Sequence, residues 1–153
     1  MLERAYPATL EEIWTLWTTK DGIESFWGPE GFEVEVRDLD LRPGSEMRYV
    51  MRAVAPDQVE FLKKAGLPVV NEHRVTYSAV EAPRLLAFRE LVDFVPGVPP
   101  YDVATSVSLE AVAAGVRLLL TFEAMHNEHW TRLAAMGREM ELERLGRLLA
   151  SRR

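Results

Sequence analysis

The sequence predicts an α+β fold: a bent antiparallel sheet of six to seven strands wrapped around one long C-terminal helix, with two short helices after strand one. Three observations carry that expectation. From His126 to Arg152 the residues Trp130, Leu133, Ala134, Gly137, Met140, Leu145 and Leu148 return at helical spacing and share one face. From Phe32 to Phe122 the chain reads as short runs of period-two alternation separated by turn residues. A helical face that wide needs a broad apolar partner, and a sheet built from those runs is large enough to cover it.

Taken in order, Leu2 to Tyr6 is a short β-prone run closed by Pro7, which cannot donate to a ladder. Thr9 suits an N-cap, with Glu11 and Glu12 in the first turn and Leu10, Ile13, Trp14 and Trp17 at helical spacing behind it. A second short helix runs from about Lys20 to Phe26, and Trp27-Gly28-Pro29 stops it. Phe32, Val34 and Val36 then alternate with Glu33, Glu35 and Arg37. Arg42-Pro43-Gly44-Ser45 fits a type II turn, with Gly44 at the position of positive φ, and leads into the alternating Met47, Tyr49 and Met51. Pro56 to Gly66 breaks strand character and reads as a short helical insertion, with Val59 and Leu62 at helical spacing.

Further on, His73, Val75 and Tyr77 form one strand face, and a turn at Ala82-Pro83-Arg84 leads to Leu86, Phe88 and Glu90. Val92 to Tyr101 is an apolar loop rich in proline, expected to act as a lid or a subunit contact, which allows a homodimer. Val103, Thr105, Val107 and Leu109 return as a strand, Ala114-Gly115 turns, and Val116, Leu118, Leu120 and Phe122 complete the sheet.

Composition narrows the function. The 153 residues are 48% hydrophobic and 27% charged, in the range of globular chains, and one domain over 1–153 is expected. No apolar run reaches the length of a membrane span, the N-terminus lacks the layout of a signal peptide, and there is no cysteine, so a cytoplasmic protein is expected. A net charge of −6 repels polyanions, so nucleic acid is not expected as a partner. Charges on the terminal helix, such as Glu143 and Arg147, read as its solvated back.

The order strand, two short helices, six strands, long helix resembles the START-like (SRPBCC, helix-grip) superfamily. Within it, Phe26-Trp27-Gly28-Pro29-Glu30-Gly31 and Val36-Arg37-Asp38-Leu39-Asp40-Leu41-Arg42-Pro43-Gly44 resemble the branch of activator of heat-shock-protein ATPase homologues. The resemblance covers nearly the whole chain, and both motifs concern turn geometry and carry no catalytic group. Ser45 stands where that branch often has a second glycine, and Pro56 to Gly66 is longer than its usual hairpin. The resemblance implies a cavity between sheet and helix able to take a lipid-like guest. It equally allows an enzyme of cyclase, hydratase or hydrolase type using that cavity, or a co-chaperone-like interaction module.

Glu90 is the sharpest candidate residue, because Leu86 and Phe88 put it on the inward face of its strand, where a carboxyl needs a partner. Arg48 or Arg89 near the rim are the neutralising groups that would make it merely structural. His73 and Thr105 share the inward phase and can hydrogen-bond a ligand, while Tyr49 and Tyr77 offer an apolar body with a polar tip. Met51, Phe88, Trp130 and Met140 are the apolar residues expected to wall such a pocket. His126 and His129 do not match a known zinc spacing, and no nucleophile motif or phosphate loop is present, so neither metal nor cofactor is expected. The expected partner is a small hydrophobic or amphipathic molecule, with chaperone docking as the alternative.

Overall fold

In the computed structural model, which describes residues 1–152, the elements follow as β1 (Leu2–Tyr6), α1 (Leu10–Thr18), α2 (Lys20–Phe26), β2 (Phe32–Leu39), β3 (Glu46–Ala53), α3 (Pro56–Lys64), β4 (Val70–Glu81), β5 (Leu85–Val92), β6 (Tyr101–Val112), β7 (Gly115–Phe122) and α4 (Glu128–Ser151). The fold is the α+β helix-grip arrangement that the sequence predicts. Its seven strands form one open antiparallel sheet in the order β1-β7-β6-β5-β4-β3-β2. From β2 to β7 each strand pairs with the next in sequence. β1 and β2 therefore lie at opposite edges, and α1 and α2 span the distance between them.

Local chemistry explains the short helices. Thr9 and Glu12 form a reciprocal capping box, each side chain accepting from the other's backbone N–H at 3.1 and 3.2 Å. Thr19 ends α1 and caps α2, its hydroxyl accepting from the Gly22 N–H at 3.1 Å. Gly22 is required there by proximity: a Cβ at this position would stand 2.6 Å from the Leu16 Cα. Gly44 takes φ +86°, and the Ser45 N–H closes the turn onto the Arg42 carbonyl at 2.9 Å.

The core sits between the sheet and the second half of α4. Trp17, Phe26 and Trp27 meet edge to face, with centroids 5.0 Å apart for Trp17 and Phe26 and 5.3 Å for Trp17 and Trp27. Leu142, Leu145 and Leu149 are buried against this cluster together with Val116, Leu118 and Leu120 of β7. Tyr6 ties the edge strand to the helix, its hydroxyl donating to the Leu142 carbonyl at 2.9 Å in a buried bond.

One expectation about α4 needs correction. Its buried residues are Arg138, Glu141, Leu142, Leu145 and Leu149, whereas Trp130, Leu133 and Ala134 are only half-buried. The first half of the helix faces a cavity, so those side chains have no tight layer of sheet residues against them. Glu143 and Arg147 are exposed on the solvated back of the helix as expected, with Arg147 paired to Glu30 in the segment after α2. The insertion is the helix α3, none of whose residues is buried and whose Phe61 is 52% exposed. Among the described residues no helix is long and apolar enough to cross a membrane.

Candidate functional site

A cavity of about 550 Å³ lies between the sheet and the first half of α4. Trp130, Leu133, Ala134 and Gly137 form its helical wall, and Met51, Val92 and Val103 belong to the facing strands. Phe61 and Leu62 of α3 and Phe94 of the apolar loop stand at its border. Phe94 packs at 5.4 Å from the His73 ring and 6.0 Å from Trp130, so part of the loop's unusual apolarity is absorbed by this cavity.

One end of the cavity is polar. Glu90 accepts from the Tyr49 hydroxyl through Oε1 at 2.6 Å and from Arg138 Nη2 through Oε2 at 3.0 Å. The other side of the guanidinium donates from Nη1 to Glu141 Oε1 at 3.2 Å, and Glu141 Oε2 accepts from the Gly28 N–H, also at 3.2 Å. Arg138 Nη2 further reaches Thr105 Oγ1 at 3.4 Å, and its guanidinium carbon lies 5.9 Å from the Trp27 ring centroid. One guanidinium thus serves two carboxylates in a nearly dry setting.

The electrostatics follow from that sharing. Burial lowers the proton affinity of Arg138, but Glu141 and Glu90 together more than offset it, so the group stays charged. Burial raises the Glu141 carboxyl, and half a share in Arg138 plus one backbone N–H only partly opposes this. The Tyr49 phenol is pushed well above its usual value, first by burial and then by Glu90, which keeps it a donor. His73 is 6% exposed, and burial holds it below the usual histidine value despite Glu90 and Asp93 nearby. Its ring stacks on Tyr49 at 5.1 Å, and neither ring nitrogen has a partner among the described residues.

Of the residues singled out from sequence, Glu90, His73, Tyr49, Met51, Thr105, Trp130 and Met140 line this cavity. Tyr77 and Phe88 do not. Phe88 is 1% exposed, with Trp27 and Tyr77 at 5.8 and 6.4 Å between centroids, and the Tyr77 hydroxyl points to Met47 Sδ at 3.9 Å. Trp27 borders the cavity and packs on Phe88, so its indole closes the floor and leaves those two residues in the core. The partner expected for Glu90 also changes. Arg48 pairs with Asp38, and Arg89 lies 3.8 Å from Asp102 and 3.7 Å from Glu123. Both are on the opposite pleat from the inward residues Tyr49 and Glu90, so the neutralising cation is Arg138, which the periodicity of apolar residues passes over.

Arg144 explains the Trp-Gly-Pro turn. Its Nη1 lies within hydrogen-bonding reach of the carbonyls of Trp27, Gly28 and Pro29 at 3.3, 3.0 and 3.3 Å, so the turn is held on α4 by Arg144 as well as by the Gly28 bond to Glu141 one turn earlier. His126 lies before the helix, with Nδ1 at 2.6 Å from the Tyr101 hydroxyl, and His129 packs its ring near Trp130. Among the described residues no group of three or more metal-ligating side chains converges. Chemically, both Glu90 oxygens are engaged by fixed donors, and the two unpartnered ring nitrogens of His73 are closed off within the fold.

The profile of the activator of Hsp90 ATPase homolog 1-like protein family matches residues 7–150. Among solved structures, a protein from Chromobacterium violaceum aligns with a TM-score of 0.79 at 19% identity, covering 97% of this chain and 94% of that one. The AHSA1 protein from Silicibacter pomeroyi aligns with a TM-score of 0.76 at 19% identity, covering 99% of this chain and 97% of that one. A protein from Mycobacterium smegmatis gives a TM-score of 0.74 at 20% identity, with 99% and 90% covered. At these identities the likeness is one of fold. No curated protein matches the chain.

Proposed function

We propose, for a chain that belongs to the activator of Hsp90 ATPase homolog 1-like family, that its task is to bind a small, largely apolar molecule in the cavity between the sheet and the first half of α4. The observation that carries this reading is a cavity of about 550 Å³ with largely apolar walls and a hydrogen-bonded polar cluster, Glu90, Tyr49 and Arg138, among them. That volume falls within the roughly 300–1,000 Å³ typical of ligand sites, and a few convergent polar groups in an apolar lining are their usual composition. Folding alone does not call for such a space, because close packing of α4 along its whole length would bury more apolar surface. Binding comes ahead of catalysis because Glu90, the carboxylate best placed to act as a base, already accepts from Tyr49 and Arg138.

Titration with N-phenyl-1-naphthylamine, a neutral apolar fluorophore, tests this. A saturable rise in emission at one probe per chain is expected. Gly137 lines the cavity, and a Cβ there would meet nothing within 4 Å, so Gly137→Leu should fill the space and remove binding without unfolding the protein. Absence of saturable binding, or equal binding by that variant, overturns the reading and moves attention to the surface docking that the family's description suggests.

A further inference from the structure

The polar cluster beside the cavity is not balanced in charge. Among the described residues Arg138 is the one basic side chain of the lining, and it is shared between Glu90 and Glu141, two carboxylates against one guanidinium. Thr105, Tyr49 and the Gly28 N–H add hydrogen bonds to the cluster but no charge. One negative charge in surplus is costly in so dry a setting, and either a proton or a cation from outside can meet it. Burial raises the Glu141 carboxyl, the response of a group short of positive charge.

A cation from the cavity reaches the cluster through Glu90. Its side chain lines the cavity and keeps 17% of its surface exposed, more than Arg138 or Glu141. Each Glu90 oxygen accepts one bond within the fold, from Tyr49 or from Arg138, and a carboxylate oxygen can accept two. A donor on a guest is therefore added without displacing either bond. The rest of the lining has the same preference of sign. Its other charged residues are Asp57 and Glu123, the second facing Arg89 at 3.7 Å on the rim. Phe94, Phe122 and Trp130 add aromatic rings, whose faces attract cations. An anionic guest would lose its water beside carboxylates and find no unshared cation to receive it.

We propose that the guest is an amphipathic cation, an apolar body carrying a protonated amine, whose N–H donates to Glu90 and whose charge completes what Arg138 alone supplies to two carboxylates. This rests on the cavity being a binding site, and the test separates the two claims. 1-Naphthylmethylamine, protonated at neutral pH, and 1-naphthylmethanol share one shape and both donate hydrogen bonds, so they differ chiefly in charge. 1-Naphthoate carries the opposite charge. Each is titrated at neutral pH as a competitor of bound N-phenyl-1-naphthylamine. The amine should bind about 5- to 10-fold more tightly than the alcohol, as the gain of a charged over a neutral hydrogen bond allows. The naphthoate should bind at least about 10-fold more weakly than the alcohol, because its charge is buried unpaired.

Glu90→Gln removes the surplus charge with little change of shape and should bring the amine and the alcohol to equal affinity. Glu141→Gln removes the same charge from the other side of Arg138 and should also narrow the preference, so it serves where the first variant does not fold. Glu143→Gln changes the net charge equally on the exposed back of α4, outside the cavity, and should keep the full preference. An alcohol or a naphthoate that equals the amine overturns the proposal while the cavity reading stands. So does an amine preference that survives Glu90→Gln, or Glu141→Gln in its place, or that is lost in Glu143→Gln. If the fluorophore and all three competitors fail to bind, the cavity reading falls and this inference falls with it.

Discussion

Arg138→Met isolates the least tolerant feature of the molecule. The Arg138 side chain is 10% exposed, and those of Glu90 and Glu141 are 17% and 6% exposed, so the substitution leaves two desolvated carboxylates without their common cation. Removing one partner of a buried pair typically costs ~3–5 kcal/mol. Two carboxylates are affected, but Glu90 keeps the Tyr49 hydroxyl and Glu141 keeps the Gly28 N–H, so a loss within that range is expected at neutral pH. Urea unfolding followed by tryptophan emission and circular dichroism measures it, with an unchanged m-value showing that the native fold persists. The pH dependence has a definite sign. Burial already raises the folded Glu141 carboxyl, and loss of the guanidinium raises it further. A carboxyl whose folded value exceeds its unfolded value of about 4.3 contributes stability fully below that pH and loses it as pH rises through the folded value. The gap between parent and variant should therefore be small below about pH 4 and widest near neutrality. Adding Glu90→Leu and Glu141→Leu to Arg138→Met should recover stability to within ~2 kcal/mol of the parent, since no charge is then buried. A cost under ~1 kcal/mol for the single variant, or a gap that does not change with pH, refutes the description of a dry shared cation.

Two further changes test how α4 is attached. Tyr6→Phe removes the hydroxyl that bonds the Leu142 carbonyl at 2.9 Å and should cost about 1–2 kcal/mol in the same urea experiment; no loss would mean that water replaces the bond freely. Trp130→Ala should cost less than ~3 kcal/mol, because its ring is half-buried at the cavity wall, and it should weaken N-phenyl-1-naphthylamine binding. A full loss of ~3–5 kcal/mol with binding intact would show that the first half of the helix is packed like the second.

The strands were legible because each alternation has one buried face. Val34 and Val36, Met47 and Tyr49, Val75 and Tyr77, and Leu118 and Leu120 are all buried as their phase implies. Turn chemistry marked the β2–β3 junction at Gly44, and capping chemistry marked the start of α1 at Thr9. What alternation cannot convey is depth along the helix. Trp130 and Leu145 occupy the same apolar stripe of α4, yet the first lines a cavity and the second is wholly buried. That distinction depends on how far the sheet stands from the helix at each level, and on Trp27 closing the floor above Phe88. Neither is a property of residue order, which is why Tyr77 and Phe88 read as pocket walls and are core.

The site was half legible, and the missing half had a signal. Strand phase alone puts Glu90 inward, and an inward carboxyl requires a partner from whatever covers the sheet. On α4, advancing 100° per residue places Arg138 and Glu141 within the stripe that runs from Ala134 to Leu145, so they interrupt the apolar face at its centre. Counting only apolar residues removes such positions from view, because a charge is scored as solvated wherever it falls. A pair of opposite charges three residues apart in the middle of a buried stripe cannot be a solvated back, and Glu141 alone does not account for an arginine whose guanidinium donates on two sides. The inward Glu90 of β5 and the inward Arg138 of α4 are each untenable alone, and each specifies the other; the register between sheet and helix that joins them at 3.0 Å is also the one that leaves the cavity beside them.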